Sequence, residues 1–153
     1  MGSTASICCE SNIYISYDTR DVGYKRIQTV CEQLTNQKIF REKYNVVYSE
    51  IAFCDQTSRR SYKEIAQHLD LIMAKSSCVI ICISAYTVQS YYQSIEIECA
   101  MNSGKEIIYI ISDEKFSPKH NPEIRTVVKN SRWKPLYDEK MRDELVVDIL
   151  LAY

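Results

Sequence analysis

Two short segments, Val79 to Ile83 and Ile107 to Ile111, carry an apolar or aromatic side chain at every position. Successive residues of a strand point to opposite faces, so a strand of this kind has no solvent side and needs cover above and below. A parallel sheet with helices packed on both faces supplies that cover. Neither run approaches the roughly 20 apolar residues of a membrane-spanning helix.

The rest of the chain alternates around these two runs. Ile13-Tyr-Ile-Ser-Tyr17 is rich in β-formers and leads into the polar Asp18-Thr-Arg-Asp21, a strand ending in a loop. From Tyr24 to Thr35, the residues Ile27, Val30, Cys31 and Leu34 recur at helical spacing. A charged patch from Gln37 to Tyr44 precedes Asn45-Val-Val-Tyr48, which reads as a second strand, and Ser49 to Ser61 reads as a polar loop. Ile65, Leu69, Ile72 and Met73 form the next helical stripe, and Tyr86 to Ser103 reads as a third helix with Gly104 just past its end. Pro118 and Pro122 punctuate a long loop with room for a short helix over Glu123 to Lys129. Arg132-Trp-Lys-Pro-Leu136 follows as a brief strand whose proline suits a sheet edge. Asp138 caps a last helix with Met141, Leu145, Ile149 and Leu150 on its apolar side. This order predicts an α/β fold: an open, five-stranded parallel sheet with helices on both faces and any ligand at the carboxyl ends of the strands.

At 153 residues the chain is sized for one domain, and 46% hydrophobic with 25% charged residues is ordinary globular usage. A net charge of −1 gives no electrostatic case for nucleic acid as a partner. The seven cysteines are odd in number, and Met1 to Asn12 lacks the basic start and apolar stretch of a secretory signal, so a reduced, cytoplasmic setting is expected. Cys78 and Cys82 lie inside an apolar run, where cysteine behaves as a small hydrophobe. No metal site is expected, because no histidine or second cysteine pair completes a four-ligand set, and His68 and His120 stand alone. The glycines, Gly2, Gly23 and Gly104, belong to no phosphate-binding loop. A Gly-x-Ser-x-Gly elbow is also missing, which speaks against a serine triad.

Three stretches resemble the TIR (Toll/interleukin-1 receptor) family. Asn12-Ile-Tyr-Ile-Ser-Tyr17 is similar to the family's first box. Ser84-Ala-Tyr-Thr-Val, then Ser90-Tyr-Tyr-Gln-Ser-Ile-Glu96, Ala100 and Gly104-Lys-Glu-Ile-Ile, resemble the segment in which an aromatic stands four residues before a glutamate. Arg132-Trp-Lys-Pro is similar to the late aromatic box. The resemblance covers residues 12–153, leaving 1–11 as an N-terminal segment, and implies the flavodoxin-like TIR fold. Tyr92 takes a position where the family usually has tryptophan, and the loop from Ser49 to Ser61 lacks the Gly and Pro often found there.

The resemblance also implies an activity. Enzymatic TIR domains cleave the nicotinamide–ribose bond of NAD⁺, their substrate rather than a bound cofactor, with a glutamate that stabilises the oxocarbenium-like ribose. Glu96 takes that catalytic place, on the first turn of a helix at the carboxyl edge of the sheet. Tyr92, Arg20 and Glu50 are expected to line the substrate crevice, with Arg20 towards a phosphate, whereas Tyr91 is expected in the core. Self-association with other TIR domains or with itself is expected through the loop bearing Asp55, Arg59 and Arg60. The alternative is a catalytically silent TIR adaptor that acts by homotypic assembly. A receiver or nucleotide-binding domain is disfavoured, because the first strand lacks a paired-acid pocket and no loop is rich in glycine. Finally, Met1-Gly-Ser-Thr-Ala-Ser6 fits an N-myristoylation signal at Gly2, and Cys8 and Cys9 beside it would accept a palmitoyl group as second anchor to a membrane surface.

Overall fold

The computed structural model describes residues 11–18, 20, 24–48, 61–111, 113, 115–117, 133–135 and 138–152. Its centre is the two-faced run read above. Strand β3 (Ser76–Ile83) pairs in parallel with β1 (Ser11–Ser16) on one side and with β4 (Glu106–Ile111) on the other. Strand β2 (Tyr44–Tyr48) extends the sheet beyond β1, and the three-residue β5 (Trp133–Pro135) extends it beyond β4. The order is β2-β1-β3-β4-β5 with every pair parallel, so the expected five-stranded parallel sheet is present and Pro135 lies on an edge strand.

Strand alternation divides the core in two. On one face, Ile13 and Ile15 of β1, Cys78, Ile80 and Cys82 of β3, and Ile110 of β4 meet Ile27 of α1 (Tyr24–Thr35) and Leu145 and Val146 of α5 (Glu139–Ala152). On the other, Tyr14, Val79, Ile81, Ile83 and Tyr109 meet Ile65, Leu69 and Met73 of α3 (Tyr62–Ala74) and Tyr92, Ile95, Cys99 and Ala100 of α4 (Tyr91–Ser103). No helix among the described residues is long and apolar enough to cross a membrane.

Capping sets where these helices begin and end. The Ser61 hydroxyl accepts from the Glu64 amide at 3.2 Å to start α3. Asp138 accepts from the Lys140 amide at 2.9 Å to start α5, as the sequence led us to expect. Gly104 ends α4 at φ 71°, a left-handed conformation that glycine adopts without a Cβ penalty.

Four local expectations are corrected. The stretch from Tyr86 to Ser103 is not one helix: a 3₁₀ turn at Thr87–Gln89 comes first, and α4 starts at Tyr91. Ser90 causes the break, because its backbone is extended and its hydroxyl accepts from the Gln93 amide at 3.0 Å, which makes it an N-cap. The charged patch after Gln37 contains a short helix α2 (Lys38–Lys43), and β2 begins at Tyr44. Tyr17 lies just past β1 and packs, half-buried, against the first core cluster. Tyr91 is 56% exposed rather than core, and Tyr92, at 5%, is the buried member of the pair. The expected helix over Glu123 to Lys129 lies outside the described residues.

Burial on this scale makes two outcomes measurable. Ile80 is fully enclosed between the layers, so Ile80→Ala should cost about 3 kcal/mol of unfolding free energy. Leu71→Ala, at a position 70% exposed, should stay within about 0.5 kcal/mol. Urea midpoints at unchanged m-value distinguish the two, and equal costs would contradict the buried placement of β3. Cysteine chemistry offers a second test. Cys78, Cys82 and Cys99 are buried and in no disulfide, and burial first pushes the Cys78 and Cys99 thiols up to about 12, with Glu106 and Asp70 adding to it. Iodoacetamide at pH 8 should label these three only after unfolding, as read by peptide mass; rapid native labelling of Cys78 or Cys82 would place them outside the core.

Candidate active site

The carboxyl ends of β1 and β3 and the amino end of α4 converge on one edge of the sheet. Glu96 reaches this edge from α4, and its side chain is 0% exposed. It lies on the second turn of the helix rather than the first, as the sixth residue of a helix that starts at Tyr91. One carboxylate oxygen accepts from the Tyr14 hydroxyl, and the other accepts from the Ser16 hydroxyl at 2.9 Å. Both donors belong to β1 and lie two residues apart, so they share the sheet face that α4 covers. Burial, then the charge of Glu96 and the nearby Tyr92, hold the Tyr14 phenol well above its ordinary range.

Beside this pair, Gln93 is buried, and its amide nitrogen donates to the Cys82 carbonyl at 2.8 Å, tying α4 to the end of β3. The turn after β3 closes on itself. The Thr87 hydroxyl accepts from the Ser84 amide at 2.9 Å, and the Ser84 hydroxyl accepts from the Tyr86 amide at 3.2 Å.

Nearer the surface, Arg20 is half-exposed and Asp18 largely covered. Arg20 donates through Nε and Nη2 to the two oxygens of Asp18, at 2.9 and 2.7 Å, and its guanidinium stacks 4.7 Å from the centre of the Tyr86 ring. These contacts link the loop after β1 to the turn after β3. The Arg20 guanidinium holds the Asp18 carboxyl below its ordinary value against the opposing effect of partial burial, and the Ser90 hydroxyl adds to the lowering.

Glu96, Tyr92 and Arg20 lie at the carboxyl edge of the sheet, in surroundings that differ from those expected. Glu96 and Tyr92 are enclosed in the layer beneath α4 rather than standing on an open wall, and Arg20 is already engaged by a carboxylate. Glu50, Asp55, Arg59, Arg60, Gly2, Cys8 and Cys9 lie outside the described residues. Tyr14, Ser16, Gln93, Tyr86 and Asp18 were missed as members of the site. A signal for the first two was present, since Tyr14 and Ser16 are polar-headed positions on one face of β1 and alternate with the apolar Ile13 and Ile15 on the other. Among the described residues, no group of three or more His, Cys, Asp or Glu could hold a metal ion.

A family model described as "Thoeris protein ThsB, TIR-like domain" matches residues 14–116, about two thirds of the chain, and this span includes every site residue described above. No curated protein matches the chain.

The loop contact has a defined pH response. Because the folded Asp18 carboxyl lies below its ordinary value, the contact is fully present above about pH 4, the unfolded range, and is lost as pH falls through the folded value. The Arg20 Nε–H proton should therefore keep its exchange protection by NMR at pH 4 and lose it only below. Asp18→Asn should remove that protection at neutral pH. Salt screens such half-exposed pairs, so the readout is local rather than global stability.

Proposed function

The chain belongs to the ThsB TIR-like domain family, and from that premise we propose that it is a signalling enzyme that cleaves the nicotinamide–ribose bond of NAD⁺, with Glu96 as the catalytic carboxylate. The observation that carries this reading is a carboxylate kept inside the apolar layer at the ligand edge of a parallel sheet, with a hydroxyl on each of its oxygens. Burying such a group is costly even when it is well hydrogen-bonded, and an apolar side chain would pack there more cheaply. Groups retained against that cost concentrate at functional sites.

The chemistry suits the placement. As the C1′–N bond breaks, its electron pair leaves with nicotinamide, which departs neutral, and positive charge develops on the ribose. Water then adds at C1′ and gives up a proton. A fixed carboxylate in a poorly solvated layer stabilises the developing cation more strongly than it would in water. Arg20, at the same edge, would meet a phosphate of the dinucleotide by exchanging it for Asp18, and Tyr92 would back the site as an aromatic wall.

Complete enclosure of Glu96 favours a second reading, a catalytically silent TIR module that works by homotypic assembly. In a single chain the substrate has first to displace whatever covers the carboxylate. Self-association that parts the loops after β1 and β3 reconciles the two readings, and it makes activity dependent on protein concentration.

The deciding experiment follows nicotinamide release from NAD⁺ at high protein concentration, or with the chain forced to cluster on a scaffold. Wild type should turn over. Glu96→Gln should lose on the order of 100-fold or more in kcat while keeping its circular dichroism spectrum. A wild type that releases no nicotinamide in the clustered state, or a Glu96→Gln variant as active as wild type, would leave the assembly module as the function.

A further inference from the structure

The two donors on Glu96 come from a single strand at the spacing that places hydroxyls on one face, about 6.6 Å apart along the chain. One serves each oxygen, so turning the carboxylate breaks at least one contact. Apart from Glu96 and the Tyr92 hydroxyl beside Tyr14, the surroundings of the pair are mainly apolar. Ile81, Ile83, Ile95 and Ala100 of the same cluster are apolar, and a phenylalanine or alanine on β1 would fill similar volumes. We infer that Tyr14 and Ser16 are positioning residues, a paired-hydroxyl clamp on β1 that fixes the orientation and ionised state of the Glu96 carboxylate for the reaction. The inference rests on the catalytic reading above.

Several observations support it. Hydrogen bonds from neutral hydroxyls favour the charged form of a carboxylate and so oppose the effect of burial. Tyr14 remains a donor across the working pH range, because burial and the neighbouring carboxylate keep its phenol protonated. The buried or half-buried titratable groups on the elements that cover this sheet face are Tyr14 on β1, Tyr109 on β4, His68 on α3, and Tyr92 and Cys99 on Glu96's own helix, while Lys63, Glu64 and Asp70 of α3 and Glu98 of α4 are exposed. Asp18 stands with Arg20 on the loop above.

The test uses Tyr14→Phe and Ser16→Ala, each of which deletes one hydroxyl with little change of shape, and Ser16→Thr, which restores it. The Glu96 side-chain carboxyl ¹³C signal, identified by its loss in Glu96→Gln, is titrated in each folded variant, and nicotinamide release is followed across the same pH range. The clamp predicts that each deletion raises the Glu96 midpoint by about one pH unit. It also predicts an acidic limb of kcat that moves upward in step, and a kcat about tenfold lower with KM changed less than twofold. Ser16→Thr should return both towards wild type. If Tyr14→Phe fails to fold, the Ser16 pair decides alone. A midpoint unmoved in folded variants overturns the clamp, as does an active enzyme whose pH profile ignores the deletions. Should wild type prove inactive, the catalytic reading falls by itself. The carboxyl titration then still decides: a raised midpoint keeps the clamp on Glu96, and an unmoved one removes it.

Discussion

Everything in this molecule follows from the burial of β3 on both faces. A strand with no wet side can exist only between two layers, and the parallel pairing of β1 and β4 on its flanks leaves those layers to the helices. Residues 13 and 15 then serve one layer and residues 14 and 16 the other. The same constraint fixes where chemistry can sit. With both faces filled by packing, only the strand ends remain for polar groups to converge, and the described polar cluster does lie at the carboxyl end.

Against that background the Glu96 carboxylate is the exception that needs a reason. A net hydrogen bond to a charged group is worth roughly 1.5–3 kcal/mol, so two such bonds offset much of the several kcal/mol that burying an ion costs after relaxation. They do not turn the arrangement into a source of stability. Its value to the protein has to be sought in function, either at the reacting ribose or in what the charge does when neighbouring chains assemble.

Much of the architecture was legible in the sequence. Helical stripes such as Ile65, Leu69 and Met73 keep their period because their partners are continuous apolar strands. The Ser90 break was less visible, since a serine followed three residues later by glutamine also occurs inside ordinary helices. The site was legible only in outline. Family resemblance picked out Glu96 and Arg20, but their partners are set by tertiary register: Tyr14 meets Glu96 because α4 crosses β1, and Arg20 meets Tyr86 because two loops adjoin. Neither relation leaves a local trace. Tyr91 and Tyr92 show the same limit, because choosing the buried one of two adjacent aromatics requires the helix start to be known to within one residue.

The strand order has a kinetic side. β1 emerges first during synthesis, yet its place in the sheet is between β2 and β3, so it cannot complete its pairing until more than half of the chain has been made. Parallel neighbours far apart in sequence close large loops and form slowly. The Glu96 carboxylate and its two donors are separated by 82 and 80 residues, so the polar cluster is among the most non-local contacts in the domain. A chain in which α4 has not yet docked on the sheet therefore holds Glu96 in water, and the contacts with Tyr14 and Ser16 form only with that docking.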